Sequence, residues 1–313
     1  MQLSDRIGRR LKLHDLHVLM AVVQVGSMRK AAALLNTTQP AISRSIAELE
    51  YAFGVRLLDR GTQGVEPTQY GRALLRRGVA VFDELKQSGQ DIKFLSNPEA
   101  GELRIGSGAA LAEGLVLAAI DRLSRQHPRV AYHVVPGNLQ RLNDERRERR
   151  IELFFSGTLG VISEEGIDTE VLFEESLVVV TGKENRWVRR RKIDLAELVN
   201  EPWTWHSSES VFSTLVAETF RARGLEIPRA TVHTDATNVR IRLSVDRGFL
   251  TFVPASFLKF PTKHEALRKL SVDLPVTRRQ VRIFTLKNRT LSPLAQLMIE
   301  CAREVAKPFA KGL

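Results

Sequence analysis

The polar residues best suited to chemistry lie on one predicted helix, within the stretch TTQPAISRSIAELEYAFGVRLLDR at positions 37–60. At about 100° per residue, Ile42, Ile46, Leu49 and Phe53 share one side, and Gln39, Pro40, Ser43, Arg44 and Ala47 share the other. Glutamine pairs with adenine, arginine with guanine and serine with either base, while alanine and proline permit close approach. The second side therefore suits recognition of base edges, although a solvated helix surface carries the same residue types.

Two further helices and a hairpin are predicted around this helix. The first carries Leu16, Leu19, Met20 and Val23 and ends at Gly26, and the second is capped by Ser27 and buries Met28, Ala31, Ala32 and Leu35. The hydroxyl of Thr38 is expected to cap the third helix. Short helices joined by a tight turn form a helix-turn-helix. The glycines and proline of residues 60–68 predict a hairpin, or wing, with Arg60 placed to contact a phosphate.

A heptad pattern runs through the next segment, residues 69–95. Leu74, Val81, Ser88 and Leu95 recur every seven residues, and Gly78, Leu85 and Ile92 lie four residues after the first three. Such a seam favours a dimer-forming helix. Gly78 and Ser88 interrupt it, so a helix packed on its own domain stays an alternative. The polar run SNPEAG at 96–101 is a predicted hinge.

The remaining chain alternates between strand-like and helical runs. The strand-like runs are ELRIGS, VAYHVV, IELFFS, SLVVVTG, ATVHT, FLTFVP and QVRIFTL. This alternation predicts an α/β domain with a mostly parallel sheet. About 210 residues leave room for two lobes.

Composition narrows the class of protein. Lys and Arg total 47 against 36 Asp and Glu, and a net charge of +11 favours polyanionic partners. The single cysteine, Cys301, lies on an apolar stripe of the last predicted helix and excludes an internal disulfide. No apolar run is long enough for a transmembrane helix, and the N-terminus lacks a signal-peptide core. We therefore expect a cytoplasmic protein without a membrane partner.

Motifs of catalysis and metal binding are missing from the sequence. No HExxH, Walker loop or paired-cysteine motif occurs, so neither an enzyme activity nor a cofactor or metal site is expected. Ahead of the first helix, Arg6, Arg9, Arg10 and Lys12 either contact phosphates or form a solvated tail.

Residues 13–71 resemble the N-terminal domain of LysR-type transcriptional regulators. The motifs GSMRKAAALL, TTQPAISRSIAELE, FGVRLLDR and PTQYG carry this resemblance. Downstream, GELRIGSG, HPRVAYHVVPGN and RGFLTFVP fall in the family's order, so the resemblance covers nearly all of the chain. Leu58 stands where the family usually has phenylalanine, and Glu152 stands where it usually has aspartate.

The resemblance implies an α/β multidomain fold: a winged helix-turn-helix, a long linker helix and a two-lobed, Rossmann-like effector domain of the periplasmic-binding-protein type. The implied domains are residues 1–68, 69–97 and 98–313, with lobe I at 98–178 and 280–313 and lobe II at 179–279. Gln39, Pro40, Ser43 and Arg44 match recognition-helix positions, Arg60 matches a wing-base arginine, and Thr38 matches the cap. The linker implies a homodimer, and family members are usually homotetramers on a dyad-symmetric operator in double-stranded DNA.

Three predicted helix starts mark the expected effector cleft, because ligands of α/β domains bind at strand ends. They follow GSG at 106–108, WHSS at 205–208 and TDAT at 234–237. The candidate residues are Ser107, Gly108, His206, Ser207 and Thr237, with Asn138 and Ser156 on the other walls and Phe252 at the floor. Free N–H groups at helix starts favour an anion such as a carboxylate. Each candidate could instead be an ordinary cap or strand end, and His206 a structural histidine rather than a pH sensor.

Two functions compete on this sequence. A regulator would place residues 39–47 of two winged helices in major grooves and change its arrangement when a small effector binds. A solute-binding protein or enzyme would use the α/β domain alone. Only the regulator explains the first 95 residues.

Overall fold

Two units, divided between Gly89 and Gln90, make up the computed structural model of the chain. The structure describes residues 11–61, 64–98, 100–158, 166–207, 211–260, 265–274 and 277–310. Arg6, Arg9 and Arg10 therefore lie outside the described residues, whereas Lys12 pairs with Glu48 at 3.5 Å.

The first unit contains three helices: α1 (Leu13–Val25), α2 (Met28–Leu34) and α3 (Gln39–Phe53). The predicted end of α1 is confirmed, because Gly26 closes it with a φ of 67°, and Gly54 closes α3 in the same way with a φ of 71°. The Ser27 side chain caps α2 by accepting from the Lys30 N–H. The core buries more of α1 than the predicted stripe, since Val18, Ala21 and Val22 are also enclosed.

The predicted hairpin follows as β1 (Leu58–Gly61) and β2 (Gly64–Pro67), paired antiparallel. Hydrogen bonds to neighbouring helices hold both strands of the hairpin in place. The carboxylate of Glu50 accepts from the N–H groups of Leu57 and Leu58 at 2.8 and 3.3 Å, and the N–H of Val65 donates to the Gly26 carbonyl at 3.0 Å. These bonds set the position of the wing relative to α1 and α3.

Helix α4 (Gln69–Ser96) carries the predicted seam. Its first part packs on its own domain: Leu74 joins the core of the first unit, and a Cβ at Gly78 would lie 3.0 Å from Leu16 Cδ1. Farther along, the seam residues Val81, Leu85, Ile92 and Leu95 are exposed. The start of the helix thus follows the intramolecular alternative, and near the other end Phe94 is buried in the core of lobe I.

The second unit contains two five-stranded sheets. The lobe I sheet has the order β4-β3-β5-β12-β6, from β3 (Ala100–Ser107), β4 (Arg129–Pro136), β5 (Leu153–Thr158), β6 (Ile167–Glu175) and β12 (Arg279–Leu286). The lobe II sheet has the order β11-β7-β10-β8-β9, from β7 (Leu177–Gly182), β8 (Trp203–Trp205), β9 (Ala230–His233), β10 (Leu250–Pro254) and β11 (Leu267–Lys269). The chain leaves lobe I at Ser176, three residues before the expected crossing at Val179, and β12 begins at Arg279.

Helices cover these sheets. They are α5 (Leu117–Gln126), α6 (Leu139–Arg147), α7 (Val211–Arg221), α8 (Thr237–Arg247) and α9 (Pro293–Ala306). A helical turn at Ala109–Leu111 and a π-helical turn at Ala112–Val116 precede α5, and 3-10 turns occupy Arg186–Arg189, Leu195–Leu198 and Ala255–Leu258. None of the described helices is long and apolar enough to cross a membrane.

The expectation of a mostly parallel sheet is confirmed for each sheet, in which four of the five strands run in one direction and one is reversed. β3 pairs in parallel with β4 and β5, whereas β12 pairs antiparallel with β5 and β6. Lobe II repeats this division, with β7 antiparallel to β10 and β11. The reversed strands are thus β12 in lobe I and β7 in lobe II, each of them the first strand that the chain enters after a crossing between the lobes.

The cores of the two lobes differ in composition. Cys301 is buried in the lobe I core, where burial raises the pKa of its thiol and leaves it a packing residue. Lobe II is aromatic: Trp203 stacks on Phe252 with ring centroids 5.2 Å apart. The buried Glu152 carboxylate accepts from the Ser292 hydroxyl at 2.8 Å and so holds the start of α9.

Candidate DNA-binding surface and effector cleft

The exposed side of α3 carries the residues predicted to contact bases. Gln39, Pro40, Arg44 and Ala47 are exposed, and Ile42 and Ile46 on the other side are buried. Among the described residues Arg44 has no ion-pair partner, which leaves its guanidinium available to an external acceptor. The geometry therefore presents a glutamine, an arginine and two small residues together on one face.

Two details of this face differ from expectation. Thr38 occupies the N-cap position with an extended backbone, but its side chain makes no capping hydrogen bond, so the predicted role of its hydroxyl is wrong. Ser43 is half-buried, and its hydroxyl donates to Met28 Sδ at 3.4 Å. Sequence periodicity places Ser43 at the edge of the face and cannot show this contact with α2.

Arg60 lies on β1 of the wing, one residue pair away from the pair of Gly61 with Gly64 that ends the ladder. It is exposed and pairs in register with Val65 of β2. Because Val65 is itself bonded to the end of α1, the position of Arg60 is set by the same hydrogen bonds that hold the wing.

A cleft of about 850 Å³ lies in the second unit, with walls from both lobes. The turn at Gly108–Leu111, the start of α6 and Ser156 come from lobe I. His206, Phe212 and Asp235 come from lobe II. Starts of several helices thus meet at the cleft, as the loops after parallel strands of an α/β sheet do.

The cleft brings together half of the predicted effector residues. Gly108, Asn138, Ser156 and His206 line it. Asn138 caps α6, its side-chain oxygen accepting from the Arg141 N–H at 2.9 Å.

The other predicted effector residues lie outside this lining. Ser107 is fully buried and its hydroxyl donates to the Gly108 carbonyl, and Thr237 is buried at the start of α8. Ser207 donates to Asp235, which itself lines the cleft. Phe252 packs in the aromatic core of lobe II rather than at the floor, because its β10 position faces Trp203.

His206 and Asp235 form the lobe II lip of the cleft. His206 Nδ1 lies 3.3 Å from Asp235 Oδ1, and a carboxylate only accepts, so Nδ1 carries the hydrogen. Burial lowers the pKa of His206 to about 4, although the hydrogen bond that His206 donates to Asp235 acts to raise it. The hydrogen bond from His206 holds the pKa of Asp235 well below its usual range. His206 is therefore a neutral histidine at physiological pH.

The neutral state of His206 predicts that the free energy of unfolding depends on pH. Between pH 6.5 and about 4 the unfolded chain protonates His206 while the folded chain does not, so stability is lost as pH falls through that window. The loss is on the order of 3 kcal/mol. Urea unfolding of His206→Gln should show a shallower pH slope there than the wild type, whereas His233→Gln, at an exposed site of lobe II, should not. Equal slopes for all three proteins would contradict the buried neutral state.

Arg279 is a cleft residue that the sequence did not reveal. Its side chain is 2% exposed, and Nε and Nη2 donate to Glu175 Oε1 at 3.0 and 2.6 Å. The guanidinium lies 4.3 Å from the centroid of the Phe212 ring. A Cβ at Gly157 would lie 2.3 Å from Nη1, so only glycine leaves room for the guanidinium there.

This arrangement joins the lobes at their crossing. Glu175 ends β6, and Arg279 begins β12, so the ion pair lies on both connecting strands. Glu175 also accepts from the N–H of Ser256 in lobe II at 3.3 Å. The Phe212 ring in turn stacks on His206 at 4.4 Å. A ligand in the cleft therefore faces side chains that contact the two strands at the crossing between the lobes.

The chain matches two models of known protein families. Residues 13–72 match the bacterial regulatory helix-turn-helix protein, lysR family, and residues 96–307 match the LysR substrate binding domain. The chain belongs to the LysR family: it is a DNA-binding transcriptional regulator with a substrate-binding effector domain.

Two named relatives match nearly the full length of this chain. It is 25% identical over 309 residues to the uncharacterized HTH-type transcriptional regulator YdcI of Escherichia coli strain K12, covering 99% of this chain and 100% of that protein. It is 25% identical over 295 residues to the HTH-type transcriptional regulator GbpR of Azospirillum brasilense, covering 94% and 86%.

Solved structures share the fold. A full-length variant of OxyR from Pseudomonas aeruginosa matches with a TM-score of 0.61 at 18% identity, covering 95% of each chain. Full-length CbnR complexed with its target DNA matches with a TM-score of 0.53 at 20% identity, covering 95% of this chain and 100% of CbnR. At these identities the likeness concerns the fold alone.

Proposed function

We propose that this regulator recognises a dyad-symmetric operator through α3 and changes its arrangement when a small anionic effector enters the cleft. Gln39, Pro40, Ser43, Arg44 and Ala47 contact bases, Thr38 lies at the helix start beside the backbone, and Arg60 contacts a phosphate. Residues 1–68 bind DNA, residues 69–97 join two copies, and residues 98–313 hold the effector. The protein acts in the cytoplasm as a homodimer or homotetramer.

The exposed face of α3 is the observation that carries this proposal. A solvated helix needs polar residues on its surface, but it needs no fixed wing beside them. Here Glu50 and the Gly26 carbonyl fix the wing, and Arg44 and Arg60 both stay free of ion pairs among the described residues. Fixed position and unpaired positive charge are what recognition of base edges and phosphates requires.

The proposal is tested by the specificity of DNA binding by the full chain. Duplexes are selected from a random pool, and the affinities of the selected duplex and of a scrambled duplex are compared at about 0.15 M salt. We expect an inverted repeat bound at least about 10³-fold more tightly than the scrambled duplex. A ratio near one at every salt concentration would instead mark a basic protein that holds DNA only by charge.

The exposed part of α4 supports the dimer. Val81, Leu85, Ile92 and Leu95 lie on the heptad seam and are exposed in the single chain. Four large apolar residues in a helical row are costly to leave in water, at about 25 cal/mol for each Å² of apolar surface. A second copy of α4 would cover them by the coiled-coil packing that the spacing favours.

We expect Leu85→Asp to shift the protein toward the monomer, because it places a charge in the seam. Light scattering after size exclusion would measure the mass of the wild type and the variant at equal concentration. Lys86→Gln, which makes the same change of charge at the adjacent exposed position, should leave the mass unchanged. A dimer that survives Leu85→Asp would place the interface elsewhere.

The lining of the cleft supports an anionic effector. Arg279 forms part of the wall, and Glu175 occupies only its Nε and Nη2 atoms, which leaves Nη1 as a donor without a bonded acceptor among the described residues. The start of α6 adds backbone N–H groups. A carboxylate is the small acceptor that suits both kinds of donor.

A further inference from the structure

A buried arginine without a carboxylate partner lies behind the lobe II lip of the cleft. Arg240, on the first turn of α8, is 1% exposed. Its Nη1 donates to the Thr251 hydroxyl at 3.2 Å and to the Phe252 carbonyl at 3.0 Å. Its Nε and Nη2 are buried and have no hydrogen-bond acceptor among the described residues, and no carboxylate there pairs with the guanidinium.

A second buried polar group near Arg240 is also unsatisfied. Thr237 Oγ1 is one helical turn away on the same buried face of α8 and has no hydrogen-bond partner among the described residues. An unpaired buried charge and unsatisfied polar atoms are each costly, and folded proteins retain them where a function requires them. Two such groups therefore lie together on the buried face of α8.

The charges around Arg240 place it at the meeting of the lobes. Asp235 interacts with it from the lobe II lip, and Glu113 interacts with it from the π-helical turn of lobe I. Neither carboxylate forms an ion pair with it. Burial lowers the pKa of Arg240 to about 10, which still leaves it fully charged at pH 7.

We propose that Arg240 is the counter-ion for a carboxylate of the effector, received at the start of α8 beside Thr237. This inference rests on the effector role proposed above and names its ligand class and its charged residue. The carboxylate supplies acceptors for Nε and Nη2, and Thr237 donates its hydroxyl hydrogen to it. Because Glu113 of lobe I also acts on Arg240, neutralising the guanidinium changes the electrostatic attraction between the lobes.

Unfolding of lobe II in the intact chain provides the readout. All three tryptophans, Trp187, Trp203 and Trp205, lie in lobe II, so their fluorescence follows this lobe during heating. The probes are sodium acetate, pyruvate, succinate and benzoate, with inorganic phosphate as the non-carboxylate anion, all in Tris chloride at matched ionic strength. Binding to specific DNA is measured in parallel on the same samples.

The variant is Arg240→Gln, and the matched control is Arg242→Gln. Arg242 lies on the same helix, but its side chain is 74% exposed and pairs with Asp246. We expect at least one carboxylate to raise the midpoint of the wild type and of Arg242→Gln by about 5 °C or more at about 100 times its Kd. We expect no such rise for Arg240→Gln, which in the absence of carboxylate should unfold at or above the wild-type temperature because it lacks the unpaired charge.

Several results would overturn the inference. A lower midpoint for Arg240→Gln without carboxylate would show a structural arginine. An equal response of both variants, a response to phosphate alone, or no response to any probe would each remove the proposed carboxylate site. If Arg240→Gln fails to fold, Arg240→Lys decides the question, since it should respond with at least a tenfold weaker half-saturation. Specific DNA binding that persists without any anion response would overturn this inference and leave the regulator proposal intact.

Discussion

Replacing Arg44 by alanine is expected to cost about 1–3 kcal/mol at the operator and to relax the preference for one base pair. Arg44 is exposed on α3 and has no ion pair among the described residues, so the change removes a base contact without disturbing the fold. Affinities for the operator and for its single-base variants, measured by fluorescence anisotropy, provide the test.

Arg60→Ala is the matched comparison, because it removes the same charge from the wing. It should weaken binding to all sequences alike and lower the salt slope by about one, as loss of a phosphate contact does. If Arg44→Ala kept the base preference and Arg60→Ala changed it, the face assigned to recognition would be wrong.

Breaking the buried pair between Glu175 and Arg279 is expected to destabilise the effector domain by about 3–5 kcal/mol. Arg279→Met leaves the Glu175 carboxylate buried, with only Ser256 remaining as a side-chain partner among the described residues. Urea unfolding followed by tryptophan fluorescence would measure the loss. The double variant Arg279→Met with Glu175→Gln should recover part of it, because no uncompensated charge remains.

Glu170→Gln is the control for this pair. Glu170 lies on the same strand, β6, and receives two hydrogen bonds from Arg303 at 2.8 and 2.7 Å, but both side chains are about half exposed. Loss of this exposed ion pair should lower the free energy of unfolding by less than about 1 kcal/mol. If Glu170→Gln and Arg279→Met lowered the free energy of unfolding equally, burial of the ion pair at the crossing between lobes would add nothing to stability.

Local chemistry made the first unit predictable. Ser27, Gly26 and Gly54 stop or cap helices through bonds with near neighbours in sequence, and the hairpin is closed by its own glycines. The contacts that the sequence missed are the non-local ones. Ser43 turns toward Met28, which no periodicity of α3 contains.

In the effector domain, too, the contacts that the sequence missed are between residues far apart in the chain. β6 has a mixed, half-polar sequence, and it becomes a strand because it pairs with β12, which lies far along the chain. Arg279 lies in the charged run TRRQ, and nothing in that run marks its partner Glu175.

Arg240 and Arg242 show what a helix pattern can and cannot reveal. They are two residues apart in NVRIR, yet one is buried and the other exposed. The buried face of α8 carries Thr237, Arg240, Ile241 and Ser244, whereas the apolar Val239 is exposed. The helical period separates the faces, but only packing against β10 shows which face is enclosed.

A genome-wide map of sites bound by the purified full chain on fragmented host DNA tests the central claim most directly. Recognition through α3 in a dimer predicts a few strong peaks, each with inverted half-sites separated by one or more helical turns of DNA. It also predicts that Arg44→Ala shifts the base preference within those half-sites. The absence of enriched peaks at every salt concentration, with and without the carboxylate probes, would contradict the account and leave α3 a solvated surface.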